Sequence, residues 1–88
     1  MKKIIVLLFL ALSLFAADFE RGLEAKIKGD NRTALKILAP LASKGHAGAQ
    51  YTLGTMYIKG QGVSKNNNKA LTLYKKAATK GHSDAQYA

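Results

Sequence analysis

An all-α fold of stacked helix-turn-helix units is the class this sequence predicts, and three observations carry the prediction. The first is internal repetition. Ala34–Thr52 and Ala70–Ala88 are identical at nine of nineteen positions, which sets a period of 36 residues. The second is apolar spacing of three and four residues between breakers, the mark of amphipathic helices. The third is glycine at the close of each periodic stretch, where helices end in a left-handed turn. A fixed period in this range denotes a solenoid, whose units bury their apolar faces against each other. Such arrays offer an extended surface, so the expected function is binding.

Residues 1–16 stand apart. Lys2 and Lys3 precede the apolar run Ile4–Leu12, and Ala16 and Ala17 precede the first acidic residue, Asp18. This is the layout of a signal peptide. The run falls short of the about 20 residues of a membrane-spanning helix, and an uncleaved anchor is the alternative reading. The expected location is the periplasm or the exterior of the cell. With no cysteine in the chain, neither a lipid-acylated N-terminus nor a disulfide-linked partner is expected.

Residues 17–45 read as a divergent first helix pair. Asp18–Lys28 forms its first helix, with Phe19, Leu23 and Ile27 four apart, and Gly29 ends it. Asp30 is the cap of a second helix from Asn31 to Lys44, carrying Ala34, Leu35, Leu38, Leu41 and Ala42. Pro40 removes one hydrogen bond there and is expected to bend the helix without ending it.

Residues 46–81 read as one complete repeat. Ala49, Leu53, Met56 and Tyr57 make the buried stripe of a helix over Ala47–Lys59. Glycine inside a helix costs about 1 kcal/mol relative to alanine, so Gly54 marks a close approach by a neighbour. Gly60-Gln61-Gly62 breaks the helix, and Asn66 caps the next. That helix carries Ala70, Leu71, Tyr74, Ala77 and Ala78 inside, with Lys69, Lys75, Lys76 and Lys80 mostly outside, and Gly81 ends it. Residues 82–88 begin a further unit and break off after about one turn, which reads as the interruption of a longer array.

The residues Ala49, Leu53, Gly54, Tyr57, Gly60, Gly62 and Val63, followed by Lys69, Ala70, Tyr74, Ala77, Ala78 and Gly81, resemble the SEL-like (Sel-one-like) repeats, relatives of the tetratricopeptide repeats. The family pattern is A-x-x-x-L-G-x-x-Y-x-x-G-x-G-V, then K-A-x-x-x-Y-x-x-A-A-x-x-G. Asn66 stands where the family favours aspartate and Ser64 where proline is frequent; both keep the turn or cap. The resemblance implies a short right-handed superhelix and a protein-protein interaction scaffold or adaptor. By analogy with tetratricopeptide grooves, it implies that Gly48, Tyr51, Thr52, Thr55, Ile58 and Lys59 face an extended peptide. It also brings a rival, because a cysteine-rich branch of the family is named for beta-lactamase activity. The signatures S-x-x-K, S-D-N and K-T-G are absent from this sequence, so a hydrolase or cell-wall-binding reading rests on that naming alone. A remnant of a longer array is the third reading.

No cofactor or metal is expected. His46 and His82 occupy equivalent positions after a helix-ending glycine, and only Asp84 lies near either in sequence, so both read as polar residues at helix starts. Gly60-Gln61-Gly62 matches neither the dinucleotide nor the P-loop spacing. The formal net charge is +9, and without residues 1–16 twelve Lys/Arg still face five Asp/Glu. That charge reads first as a solvated lysine face that aids solubility, and beyond that as attraction to an acidic partner or a membrane surface. Nucleic acid is not an expected partner of an exported chain.

Overall fold

The computed structural model describes residues 17–79. Over that stretch the chain forms four helices and no strand: α1 (17–27), α2 (Asn31–Ser43), α3 (Ala47–Lys59) and α4 (Asn67–Thr79). The expected signal segment, Lys80, Gly81 and the start of a further unit lie outside the described residues.

Short turns force each helix back along its predecessor. At the ends of α1 and α2 the glycines adopt positive φ, +84° at Gly29 and +91° at Gly45. In each turn the glycine N–H and the following N–H return to carbonyls of the last helical turn: Gly29 to Lys26 and Asp30 to Ala25, then Gly45 to Ala42 and His46 to Leu41. Only glycine takes this left-handed conformation without a Cβ penalty. Each turn delivers a cap at once. The Asp30 carboxylate accepts from the Thr33 N–H at 3.2 Å, His46 Nδ1 from the Ala49 N–H at 3.0 Å, and Asn66 Oδ1 from the Lys69 N–H at 3.0 Å.

Contacts between successive helices run in opposite directions. Gly22 lies against Leu38 of α2, Gln50 of α3 reaches Ala42 of α2, and Gly54 of α3 lies against Ala70 and Tyr74 of α4. Leu38 and Met56 are the largest fully buried side chains, packed with Ala34, Leu41, Ala49 and Leu53. Alanines at the contacts let the helix backbones approach, so a small core suffices to fill the interior. α2 continues through Pro40 without interruption.

Two apolar positions differ from expectation. Ile27 is 85 % exposed, because a spacing of four advances 400° around the helix. Each step from Phe19 to Leu23 to Ile27 therefore swings about 40° away from the contact face. The surface of α1 that meets α2 is the small-residue pair Gly22 and Ala25, both buried. Leu71 is 48 % exposed: it adjoins Ala70 in sequence but lies about 100° around α4 from it.

The Asp30 cap makes a pH prediction. Asp30 is held below the usual carboxylate range by its hydrogen bonds to the Thr33 side chain and backbone N–H. A depressed carboxylate contributes stability above its unfolded pKa and loses it as pH falls through the folded one. A loss of stability is expected on acidification as Asp30 protonates. Thermal melts from about pH 6 down to about pH 2 should show it, and Asp30→Asn, which caps without titrating, should blunt it. A wild-type midpoint that falls no further than that of Asp30→Asn over this interval would contradict the role of the carboxylate cap.

Candidate functional site

α1 and α3, the first helices of the two pairs, lie side by side on one face. A Cβ on Gly48 would fall 2.7 Å from Phe19 Cζ, and the Phe19 ring also meets the His46 ring at 4.6 Å between centroids. Toward the other end, Lys26 of α1 is near enough to Lys59 of α3 for their charges to interact. Burial, and then that neighbouring charge, push the Lys26 ammonium below the usual lysine range. Two interacting cations thus belong to this face. Among the described residues neither has an ion-pair partner; the ion pairs there are Arg21–Asp18 and Lys28–Glu24, both on α1 and its end.

On α3 the exposed flank runs through Tyr51, Thr55 and Ile58. Tyr51 and Tyr74 stack at 5.3 Å, tilted by 32°. Thr55 Oγ1 donates to the Tyr51 carbonyl at 3.1 Å and lies 3.0 Å from the Tyr74 hydroxyl. With the threonine proton committed to the carbonyl, the Tyr74 O–H is the donor of the second bond. Its oxygen then keeps lone-pair capacity for an N–H brought by a ligand. Ile58 is 39 % exposed and Lys59 is exposed.

Two of the six positions expected to face a groove are covered. Thr52 is 6 % exposed, and its hydroxyl donates to the Gly48 carbonyl at 2.8 Å. Gly48 is half-buried beneath Phe19. Both lie off the apolar stripe of α3, which suggested exposure, but Phe19 of α1 covers part of Gly48. The remaining four are accessible in part or whole: Tyr51 and Thr55 half-buried, Ile58 and Lys59 exposed.

The structural positions fall as follows. Ala49, Leu53, Gly54, Ala70 and Ala77 are buried, while Tyr57, Tyr74 and Ala78 are half-buried. Gly60 and Gly62 adopt positive φ in the turn, where a Cβ on Gly62 would strike Asn31 of α2 at 2.8 Å.

Two participants escaped sequence reasoning. Tyr74 reads as a core aromatic, yet its hydroxyl reaches the α3 flank. Gln50 is buried, and its Nε2 donates to the Ala42 carbonyl at 3.1 Å near the end of α2. The signal was available: Gln50 recurs as Gln86 one period later, and a repeated polar residue within an apolar frame has a partner to satisfy. Among the described residues no cluster of three His, Asp or Glu is placed to hold a metal ion, and no helix is long and apolar enough to cross a membrane.

Antiparallel helix pairs joined by glycine turns, with the first helices sharing one flank, define a helical-repeat protein. Within it, residues 47–82 match the family model of the Sel1 repeat, and α3, the glycine turn and α4 form that repeat. Repeats of this family commonly mediate protein-protein interactions. No curated protein and no solved structure matches the chain.

Proposed function

We propose that this protein is an exported interaction scaffold that holds an extended acidic segment of a partner protein along the α1–α3 flank. The observation that carries the reading is that the two helices of this flank each bring a lysine, Lys26 and Lys59, whose charges interact and which have no ion-pair partner among the described residues. A carboxylate placed between them relieves their repulsion. It also offsets the desolvation of Lys26, a gain that a fully solvated lysine pair cannot supply. Beside the cations, the Tyr74 oxygen accepts a peptide N–H and Ile58 supplies apolar contact. On this reading α1 and α3 line the inner wall of a right-handed superhelix.

The test is anisotropy of a fluorescein-labelled peptide of glutamates and serines, free of apolar residues. The pair Thr55→Val and Lys59→Ala should weaken capture at least tenfold while helical circular dichroism stays at the wild-type level. Unchanged capture by a folded double variant would remove this flank as the site. Export rests on the basic head and apolar run of residues 1–16. A mass lacking that segment, measured on the protein from its native cells, is the expected result, and a mass retaining it would count against cleavage.

A further inference from the structure

A second recess lies away from the α1–α3 flank, between α2 and α4 and floored by α3. Its volume is about 240 Å³, and its walls are Ala39 and Ala42 of α2, Leu53 and Tyr57 of α3, and Leu73 of α4. Alanines on α2 leave the space open where larger side chains would close it. Lys69 and Lys76 of α4 also line it. Seven residues apart, their backbone positions lie about 10.5 Å from each other along one side of the helix. The Lys69 ammonium sits 4.9 Å from the centroid of the Tyr57 ring, which holds the charge over the recess.

No carboxylate lines this cleft. The contrast with the cleft between α1 and α2 is informative, because that one has similar size, about 250 Å³, and balances its own charge. There Lys28 and Glu24 pair at 2.9 Å, and Arg21 and Asp30 add one further charge of each sign. The α2–α4 cleft has an apolar floor and two cations, with the opposite charge left to an occupant.

We propose that the α2–α4 cleft is a second docking site, for a partner peptide that inserts one apolar side chain between two carboxylates. The lysine separation sets the spacing. In an extended chain alternate side chains share a face and each residue rises about 3.3 Å, so carboxylates four residues apart lie on one face and span about 13 Å, a length the flexible lysine side chains can match. The apolar anchor lies between them. The scaffold on this account engages partners on opposite sides: a polar acidic segment on the α1–α3 flank, and an anchored acidic segment here.

The probe is a fluorescein-labelled synthetic heptapeptide with two glutamates four residues apart and one leucine midway between them. The pair Lys69→Glu and Lys76→Glu should weaken binding at least tenfold. Lys65→Glu with Lys75→Glu makes the same change in net charge outside the cleft and should weaken it less than threefold. Replacing the peptide's leucine by serine should also cost about tenfold. All four lysines are exposed, so the variants should fold, as circular dichroism will verify. Equal losses in the two double variants, or no loss with the serine peptide, would reduce the effect to general attraction and overturn the proposal. It would equally fall if the Lys69/Lys76 pair governed sedimentation with anionic phospholipid vesicles and left peptide binding unchanged.

Discussion

Leu38→Ala should abolish cooperative thermal unfolding at moderate temperature or lower the midpoint by tens of degrees. Leu38 is fully buried in α2 and is the side chain on which α1 rests, since a Cβ at Gly22 would fall 2.7 Å from its Cδ2. Truncating a buried leucine costs about 2–5 kcal/mol, the upper end applying where neighbours cannot collapse into the void. A domain of this length holds a net stability of about 3–5 kcal/mol, so the loss is comparable to the whole. Each kcal/mol corresponds to about 4–8 °C for a domain of 60–100 residues. Ile58→Ala, at an exposed site on α3, should stay within about 0.5 kcal/mol of wild type. Circular dichroism melts of the two variants check the contrast. Similar midpoints would mean that Leu38 does not organise the core.

Gly54→Val should be the second large effect, and it acts through excess volume. A Cβ at Gly54 would sit 2.8 Å from Tyr74 Cε1 and 3.3 Å from the Ala70 carbonyl oxygen. The tyrosine ring could swing aside only by giving up its stacking on Tyr51 and its bond to Thr55. The Ala70 carbonyl belongs to backbone and has less freedom to yield. Overpacking costs about 1–3 kcal/mol, occasionally more, and valine, with its branched Cβ, recovers less helix propensity than alanine does. Gly54→Ala is the milder case, because the gain in helix propensity of about 1 kcal/mol offsets part of the clash. The expected order of stability is wild type, then alanine, then valine. The valine variant should also bind the glutamate–serine peptide more weakly, since Tyr74 leaves the α3 flank. A valine variant as stable as wild type would show that α3 and α4 are not held in close contact at this position.

The fold was legible because local chemistry and global repetition agree. Glycines with one permissible role, caps of the right type and a period of 36 residues each point to the same helix boundaries. Gly54 is the clearest example: a costly residue inside a helix announced a neighbour that proved to be Tyr74. The site was less legible, for a physical reason. A helical wheel of α3 shows which residues leave its own apolar stripe, but says nothing of what another helix covers. Gly48 is partly covered by Phe19 of α1, 29 residues earlier in sequence, so no pattern within α3 could place it. The interaction of Lys26 and Lys59 has the same origin, as they come from different helices with no shared motif. Ile27 misled because equal sequence spacing is unequal angular spacing.

The most direct test of the account is a titration of the ¹⁵N-labelled protein with the glutamate–serine peptide, followed by amide chemical shifts. Saturable shifts confined to α1 and α3 around Lys26, Thr55, Ile58 and Lys59 are the predicted result. Shifts that fail to saturate and spread over the lysines of α2 and α4 alike would contradict it, and would leave the positive charge without a binding flank.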